Sequence, residues 1–256
     1  STDYANIEYC SQQYTATYRS KTRYSDVYYA DDKNVGWFAD ATAYNNLKNS
    51  MLKSVYENGG FYVGRYEAGI GTNRTSIEEQ VDGKYPVPTT VPVTKADAYP
   101  YTYVTRTQAI SLAEGFKTQQ GYKAKTKLVS SYAWDTTIAF IEKTVNNYGS
   151  SSSQGNYSNT SVTYKDITDE SKPEKTKAEN SSLLVATGQT TPVCNIYDMG
   201  GNVWEWTTES CSSTKYPYAL RGGHCASVFA VTPAGDRYAS PDNAYDGVGF
   251  RLTLFM

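Results

Sequence analysis

Few residues of this sequence could carry out chemistry, and most of them lie among the last sixty. His224 is the single histidine and stands beside Cys225. A Ser-His-Asp or Cys-His hydrolase would have to use this histidine. Neighbours on an extended strand point to opposite faces, so the two side chains cannot easily share a proton. One histidine also excludes a metal site built from several imidazoles. Catalysis at this pair is therefore disfavoured.

Other chemical signatures are absent from the sequence. It contains no phosphate-cradling GxxxxGK[ST] loop and no dinucleotide-binding GxGxxG run. Cys10, Cys194, Cys211 and Cys225 form no CxxC pair, which disfavours a zinc knuckle. One disulfide is possible, although the sequence does not select its partners, and free buried thiols are favoured for most of the four. A formal net charge of −2 gives no broad basic field for duplex nucleic acid. No apolar run is long enough for a membrane span, and no signal-peptide pattern is visible at the start.

Two carboxylates flank a tight turn. Asp198 and Glu205 lie on either side of Gly200, Gly201 and Asn202. They could hold a hard cation such as calcium together with backbone oxygens. Alternatively they accept hydrogen bonds from turn amides, and this second interpretation is the one we favour.

The apolar pattern predicts the elements that must position these residues. Helices are predicted over 40–57 and 106–120, and a strand-to-helix passage over 128–145. Residues 61–69 alternate as a strand, and the proline-rich stretch 70–104 indicates a long surface excursion. The predicted buried residues of these elements include Ala109, Leu112, Ala113, Phe116, Trp134, Ile138 and Ile141.

The remaining segments define the domain organisation. Residues 1–35 are predicted to form an N-terminal arm with strand-like pieces, and 36–256 a single domain, because neither half looks complete alone. A polar stretch at about 150–182 reads as a solvated insertion. The turn-rich link 211–218 is a candidate working surface. Trp204, Trp206, Phe250 and Leu252 are the predicted core of the terminal region.

Three short motifs carry a resemblance to a known family. GN-x-WEW at Gly201–Trp206, RGG at Arg221–Gly223 and GFR at Gly249–Arg251 resemble the formylglycine-generating-enzyme (sulfatase-modifying factor) family. The resemblance implies an α+β, C-type-lectin-like fold of the formylglycine-generating-enzyme subtype. Such a fold has short irregular strands, two to three helices and long loops.

The activity of that family does not carry over with the motifs. Its enzymes hold copper on two cysteines that follow RGG, and those places are Ser227 and Thr232 here. Hydroxyls cannot replace the thiolates that copper(I) requires. The calcium site implied by the resemblance would use Asp198, Gly201, Val203 and Glu205. We expect no required cofactor.

A second resemblance is to variable proteins of diversity-generating retroelements, which use the same fold. Those proteins end in a frame of RGG, PAG-x-R, PDNA and GFR, separated by diversified stretches. The frame is present as Arg221–Gly223, Pro233–Gly235, Arg237, Pro241–Ala244 and Gly249–Arg251. The resemblance implies a variable region at 221–251. Its predicted ligand-binding residues are His224, Cys225, Ala226, Ser227, Phe229, Ala230, Val231, Asp236, Tyr238, Ala239, Ser240, Tyr245 and Asp246.

The composition of this region supports the second resemblance. Such retroelements mutate template adenines, usually in Asn codons that end in a pyrimidine, and these codons cannot become Lys, Glu, Gln, Met or Trp. None of the five occurs between Arg221 and Arg251, where roughly five would be expected from the whole chain.

These observations predict a non-catalytic, receptor- or adhesin-like protein on a phage tail or cell surface. Its ligand would be a macromolecule, either protein or glycan, with Phe229, Tyr238 and Tyr245 as the main anchors. One alternative is a copper-dependent oxidase that uses Cys225 with Cys211. A second is a structural virion protein in which the 150–182 insertion mediates assembly.

Overall fold

The described part of the N-terminal arm, residues 2–19, is a helix, so the prediction of strand-like pieces is wrong there. Helix α1 spans Thr2–Arg19. Ser11, Thr15 and Tyr18 recur at helical spacing and are buried, and the Tyr18 hydroxyl donates to Glu142 over 2.6 Å. Two of these three inward residues are small and hydroxylated, which is why the sequence shows no apolar stripe. A computed structural model describes residues 2–19, 40–119, 124–169, 171–211 and 213–256, so the rest of the predicted arm lies outside the described residues.

The first predicted helix is confirmed as a continuous helical segment. It consists of α2 (Ala41–Leu47), a π-helical turn (Lys48–Leu52) and α3 (Lys53–Asn58). Asp40 caps its start by accepting a hydrogen bond from the Ala43 amide over 2.8 Å. It ends at Gly59, whose φ of +79° is the left-handed conformation typical of glycine after a helix.

Two further predicted helices are confirmed, with their buried faces. Helix α4 spans Arg106–Gln119 and α5 spans Ser131–Ile141, with the Ser130 hydroxyl as the N-terminal cap of α5. A single turn, α6 (Tyr148–Ser151), follows. In the described part of the chain, no helix combines the length and apolarity needed to cross a bilayer. The buried residues of α4 and α5 are as predicted: Ala109, Leu112, Ala113, Phe116, Trp134, Ile138 and Ile141.

The strands are short and form small sheets. They are β1 (Tyr62–Val63), β2 (Gly69–Ile70), β3 (Tyr99–Pro100), β4 (Lys125–Leu128), β5 (Val162–Tyr164), β6 (Lys175–Lys177), β7 (Trp204–Ser210), β8 (Tyr218–Arg221), β9 (Arg237–Ser240), β10 (Val248–Phe250) and β11 (Leu252–Phe255). A three-stranded sheet has the order β1-β11-β4, and a four-stranded sheet has the order β10-β7-β8-β9; β2-β3 and β5-β6 form two further antiparallel pairs. The predicted strand at 61–69 is two separate two-residue strands.

The terminal motifs form the core, as predicted. Trp204, Trp206, Phe250 and Leu252 are all at least nine-tenths buried. They pack with α4 in one apolar cluster, while α1, α5 and the 41–58 helix enclose another. The Trp206 indole N–H donates to the Val104 carbonyl over 2.9 Å. The end of the 70–104 excursion therefore enters the core and is not wholly on the surface.

The polar insertion is also more integrated than its composition indicates. Tyr157 and Lys177 are buried. The Lys177 ammonium donates to the carbonyls of Tyr157, Thr160 and Ser181 at 2.6 to 3.1 Å. These bonds satisfy the buried charge. Lys177, which the sequence predicts to be solvated, is therefore an interior residue. The expectation of a fully solvated segment is wrong for this part of 150–182.

Candidate ligand-binding site

A buried ionic network supports the base of the variable region. Arg221, in β8, and Arg237, in β9, are fully buried and both contact Asp135 of α5 and Glu209 of β7. The Arg237 Nε donates to Glu209 over 2.7 Å. Two cations and two anions balance each other in the interior. Such a group is costly to break, because one lost partner leaves an uncompensated buried charge.

A second buried ion pair fixes the closing motif. Arg251 donates to both carboxylate oxygens of Glu205, the shortest contact being 2.7 Å. It also donates to the carbonyls of Gly64 and Tyr197, each over 2.8 Å. The GFR motif therefore joins β7, the segment after β1 and the loop before the Gly200–Gly201 turn.

The glycines of RGG are required by close backbone contacts. Gly223 has a φ of +76°, and a Cβ atom there would lie 2.6 Å from the Thr232 carbonyl oxygen. Gly222 has a φ of +92°, and its carbonyl accepts a hydrogen bond from the Tyr157 hydroxyl over 3.1 Å. These contacts set the point from which the chain leaves β8 and enters the loop that begins at His224.

An open cleft of about 960 Å³ lies between that loop, β9 and the loop before β10. Trp204, Leu220 and Val248 line its inner part, and Tyr216, Tyr238 and Tyr245 are each 39% exposed around it. The predicted ligand-binding residues that line this cleft are His224, Ser227, Tyr238, Ala239, Ser240, Tyr245 and Asp246.

Stacked rings organise the cleft. The Trp204 ring stacks on His224, with centroids 6.2 Å apart, and packs against Tyr238 at 5.6 Å. His224 Nδ1 lies 2.6 Å from the Ser227 hydroxyl. Burial lowers the pKa of His224, and the carboxylate of Asp246 opposes this shift. The imidazole is therefore neutral at pH 7 and works as a flat, hydrogen-bonded surface.

Other predicted ligand-binding residues lie outside the cleft. Ala226, Ala230 and Val231 are exposed on the loop beyond His224. Cys225 is half-buried, and its amide donates to the Asn202 carbonyl over 3.0 Å. Phe229 is half-buried, with its ring 6.2 Å from that of Tyr157 in an edge-on contact.

Two predicted positions are not on the surface. Asp236 is 4% exposed and lies in the turn before β9, where its carbonyl accepts from the buried Arg221 over 3.0 Å. Ser240 is 2% exposed at the floor of the cleft. The expected exposure is therefore wrong for both, because the ionic network and the β8-β9 pairing draw this backbone inward.

Seven residues of the cleft are not among the predicted ligand-binding positions: Trp204, Tyr216, Leu220, Thr232, Pro241, Gly247 and Val248. Trp204 is predicted as core alone, yet it lines the cleft, and Pro241 is predicted as a frame residue alone. Tyr216 belongs to the polar link that is a candidate working surface. Trp204 precedes His224 by twenty residues, so no local sequence signal identifies this inner wall.

The comparison with protein families gives the identity of the fold. The profile of the sulfatase-modifying factor enzyme 1-like domain matches residues 33–254. The chain belongs to this family. The membership agrees with the α+β, C-type-lectin-like fold expected from the motifs, with its short strands, few main helices and long loops. No curated protein matches the sequence.

Several solved structures are similar at low identity. CarF is 18% identical over 62% of this chain and 68% of that one, with a TM-score of 0.41. PvdO from Pseudomonas aeruginosa is 18% identical over 77% and 80%, with a TM-score of 0.40. Treponema denticola variable protein 1 is 13% identical over 77% and 95%, with a TM-score of 0.44. Likenesses of this size carry no inference about activity.

The residues present do not fit the copper centre that this family implies. The two copper positions hold hydroxyl groups that already have protein partners. The Ser227 hydroxyl shares a hydrogen bond with His224 Nδ1, and the Thr232 hydroxyl donates a hydrogen bond to the Val228 carbonyl. The Cys225 amide is bonded to Asn202, just before β7, whereas Cys211 follows the other end of that strand. A strand of seven residues separates the two thiols by about 20 Å, so they cannot share one copper ion.

The implied calcium site is also occupied by protein groups. The Asp198 carboxylate accepts from the Gly188 amide over 3.1 Å and from the Thr190 hydroxyl over 2.6 Å. Arg251 is the cation beside Glu205. These contacts favour protein partners over a cation, but the partners are Gly188, Thr190 and Arg251 and not the amides of the Gly200–Asn202 turn. Among the residues that the structure describes, no group of three His, Cys, Asp or Glu side chains is arranged to hold a metal ion.

Proposed function

We propose that this protein is a non-catalytic receptor that binds a macromolecular ligand through the cleft and the exposed loops of 224–246. Its setting is a virion tail or a cell surface. Its variable positions are altered by a retroelement, so that related copies recognise different targets. The family also contains enzymes, but the separated thiols and the hydroxyls at the copper positions do not support an oxidase here.

One observation carries the proposal: the three frame arginines are fully buried, whereas the predicted ligand-binding positions between them are exposed or half-buried except for Asp236 and Ser240. Arg221, Arg237 and Arg251 are fully buried and ion-paired. Between them, Val231 is 51% exposed and Tyr238 is 39% exposed. Substitutions at exposed positions away from special features usually change stability by less than about 0.5 kcal/mol. A surface of this kind can vary while its support stays constant.

The cleft chemistry supports recognition of large ligands. Tyrosine offers a wide contact area and a hydrogen-bonding tip while losing little conformational entropy. Tyr238 and Tyr245 place an aromatic ring and a hydroxyl group each at the cleft. Phe229, predicted as a third anchor, packs on Tyr157 outside it. We therefore assign the main anchoring role to the two cleft tyrosines.

A library selection tests this proposal and does not require the natural ligand. One yeast-displayed library randomises His224, Ser227, Tyr238, Tyr245 and Asp246, and both it and a control library are selected against hen lysozyme as an unrelated protein. The control randomises an equal number of exposed positions on α1, which packs in the other apolar cluster and does not line the cleft: Ala5, Asn6, Tyr9, Gln13 and Ala16.

The proposal predicts micromolar or tighter binders from the cleft library only. It also predicts that most cleft-library members remain folded, as judged by resistance to protease on the cell surface. If both libraries give binders equally, or if randomising the cleft unfolds most clones, the cleft is not a tolerant recognition surface.

A further inference from the structure

The charges around the cleft are one-sided. Asp246 is exposed. Among the described residues that line the cleft, it is the one with a charged side chain. Lys215 lies over the Tyr216 ring at 5.1 Å, but it does not line the cleft. Behind the wall, Arg221 and Arg237 are matched by Asp135 and Glu209. The cleft therefore presents a carboxylate without a lining cation beside it.

The aromatic rings of the cleft also favour a positively charged ligand. Trp204, Tyr216, Tyr238 and Tyr245 all line it. The face of an aromatic ring is the negative end of its quadrupole and attracts ammonium and guanidinium groups, most strongly for tryptophan. The neutral state of His224 at pH 7 adds a flat polar ring and no competing positive charge.

The same chain already pairs guanidinium groups with aromatic faces. Arg106 lies over the Tyr218 ring at 4.2 Å, beside the cleft wall. Arg65 lies 5.5 Å from the Tyr66 centroid and 5.4 Å from that of Tyr197. These contacts show the geometry that a planar cation adopts against tyrosine in this fold.

We propose, on the basis of the proposed function, that the cleft binds a cationic side chain of a protein partner, an arginine in particular. Its guanidinium stacks on the exposed cleft tyrosines, which Trp204 supports from behind, and donates hydrogen bonds to Asp246. A cleft of about 960 Å³ is large enough for one such side chain together with the neighbouring peptide. Arginine is favoured over lysine because its planar group both stacks and donates a forked pair of hydrogen bonds.

The test compares two probes that differ in charge and little in shape. N-acetyl-L-argininamide and N-acetyl-L-citrullinamide are titrated into the full chain and followed by NMR of the indole N–H signals. We expect saturable binding of the arginine probe in the millimolar range and at least about tenfold weaker binding of the citrulline probe. Asp246→Asn should weaken the arginine probe about tenfold. The matched control Asp82→Asn, at an exposed acidic residue that does not line the cleft, should not.

Several outcomes overturn the cation proposal. Equal binding of both probes, no saturable binding of either, or full affinity in Asp246→Asn would each reject it. A third probe, methyl β-D-galactoside, is titrated in parallel, and saturable binding of this sugar alone would identify a glycan cleft instead. The lysozyme selection does not depend on charge, so its success alongside failure of the arginine probe would retain the recognition surface and reject only the cation.

Discussion

Neighbouring residues on β9 offer a direct comparison of frame and variable positions. Arg237 is fully buried in the ionic network, whereas Tyr238 is 39% exposed at the cleft. We expect Arg237→Met to lower the free energy of unfolding by about 3–5 kcal/mol, because it leaves two buried carboxylates with Arg221 as their one cation. Tyr238→Ser should cost less than about 1.5 kcal/mol, the size of a lost aromatic contact.

A compensating variant identifies the physical cause. In Arg237→Met, two carboxylates share Arg221 alone; adding Glu209→Gln restores the balance to one cation, Arg221, and one anion, Asp135. We therefore expect the double variant to be more stable than Arg237→Met by at least about 1 kcal/mol. Urea unfolding followed by circular dichroism and tryptophan fluorescence measures the parent and all three variants. Equal losses in Arg237→Met and Tyr238→Ser, or no recovery in the double variant, would refute the reasoning.

Three further predictions follow from the site. Gly223→Ala should destabilise the protein by at least about 1–2 kcal/mol, because the residue has a positive φ and a Cβ would meet the Thr232 carbonyl; urea unfolding of Gly71→Ala, where a Cβ meets nothing, is the control and should be near neutral. Burial lowers the pKa of His224 below the value of about 6.5 in the unfolded chain, so the unfolded state gains its proton first as the pH falls. The contribution of His224 to the free energy of unfolding should therefore be complete above about pH 6.5 and decrease below it; an identical pH profile in His224→Asn would contradict this. Copper(I) titration against a competing chelator should give the same weak binding in the parent and in Cys225→Ser, and a tight one-to-one complex lost in that variant would restore the oxidase alternative.

Regular periodicity made much of the fold predictable. Leu112 and Phe116 recur at helical spacing, as do Trp134, Ile138 and Ile141, and all are buried as expected. Helix α1 was not predictable in this way, because Ser11 and Thr15 face inward without adding apolar character. The pattern reports apolar burial, and it fails where small hydroxyl residues allow helices to approach closely.

The site was predictable as a region but not residue by residue. Motif spacing separated frame from intervening positions and led to Tyr238, Tyr245 and Asp246 in the cleft. It could not show that Asp236 is buried, since that depends on Arg221 crossing beneath the turn. Asp135 lies 86 residues and Glu209 lies 12 residues before Arg221, and nothing local marks either as a counter-charge of the frame arginines.

The central claim is that residues between the frame motifs are diversified to bind varied ligands. Sequencing the DNA beside the gene tests it most directly. We expect a reverse transcriptase gene and a near-copy of the last hundred or so bases. That copy should differ from the gene at its adenines, within codons of exposed positions such as Tyr238 and Tyr245 and not within those of Arg221 or Arg251. A neighbourhood without such a copy, or differences spread equally over the frame codons, would contradict it.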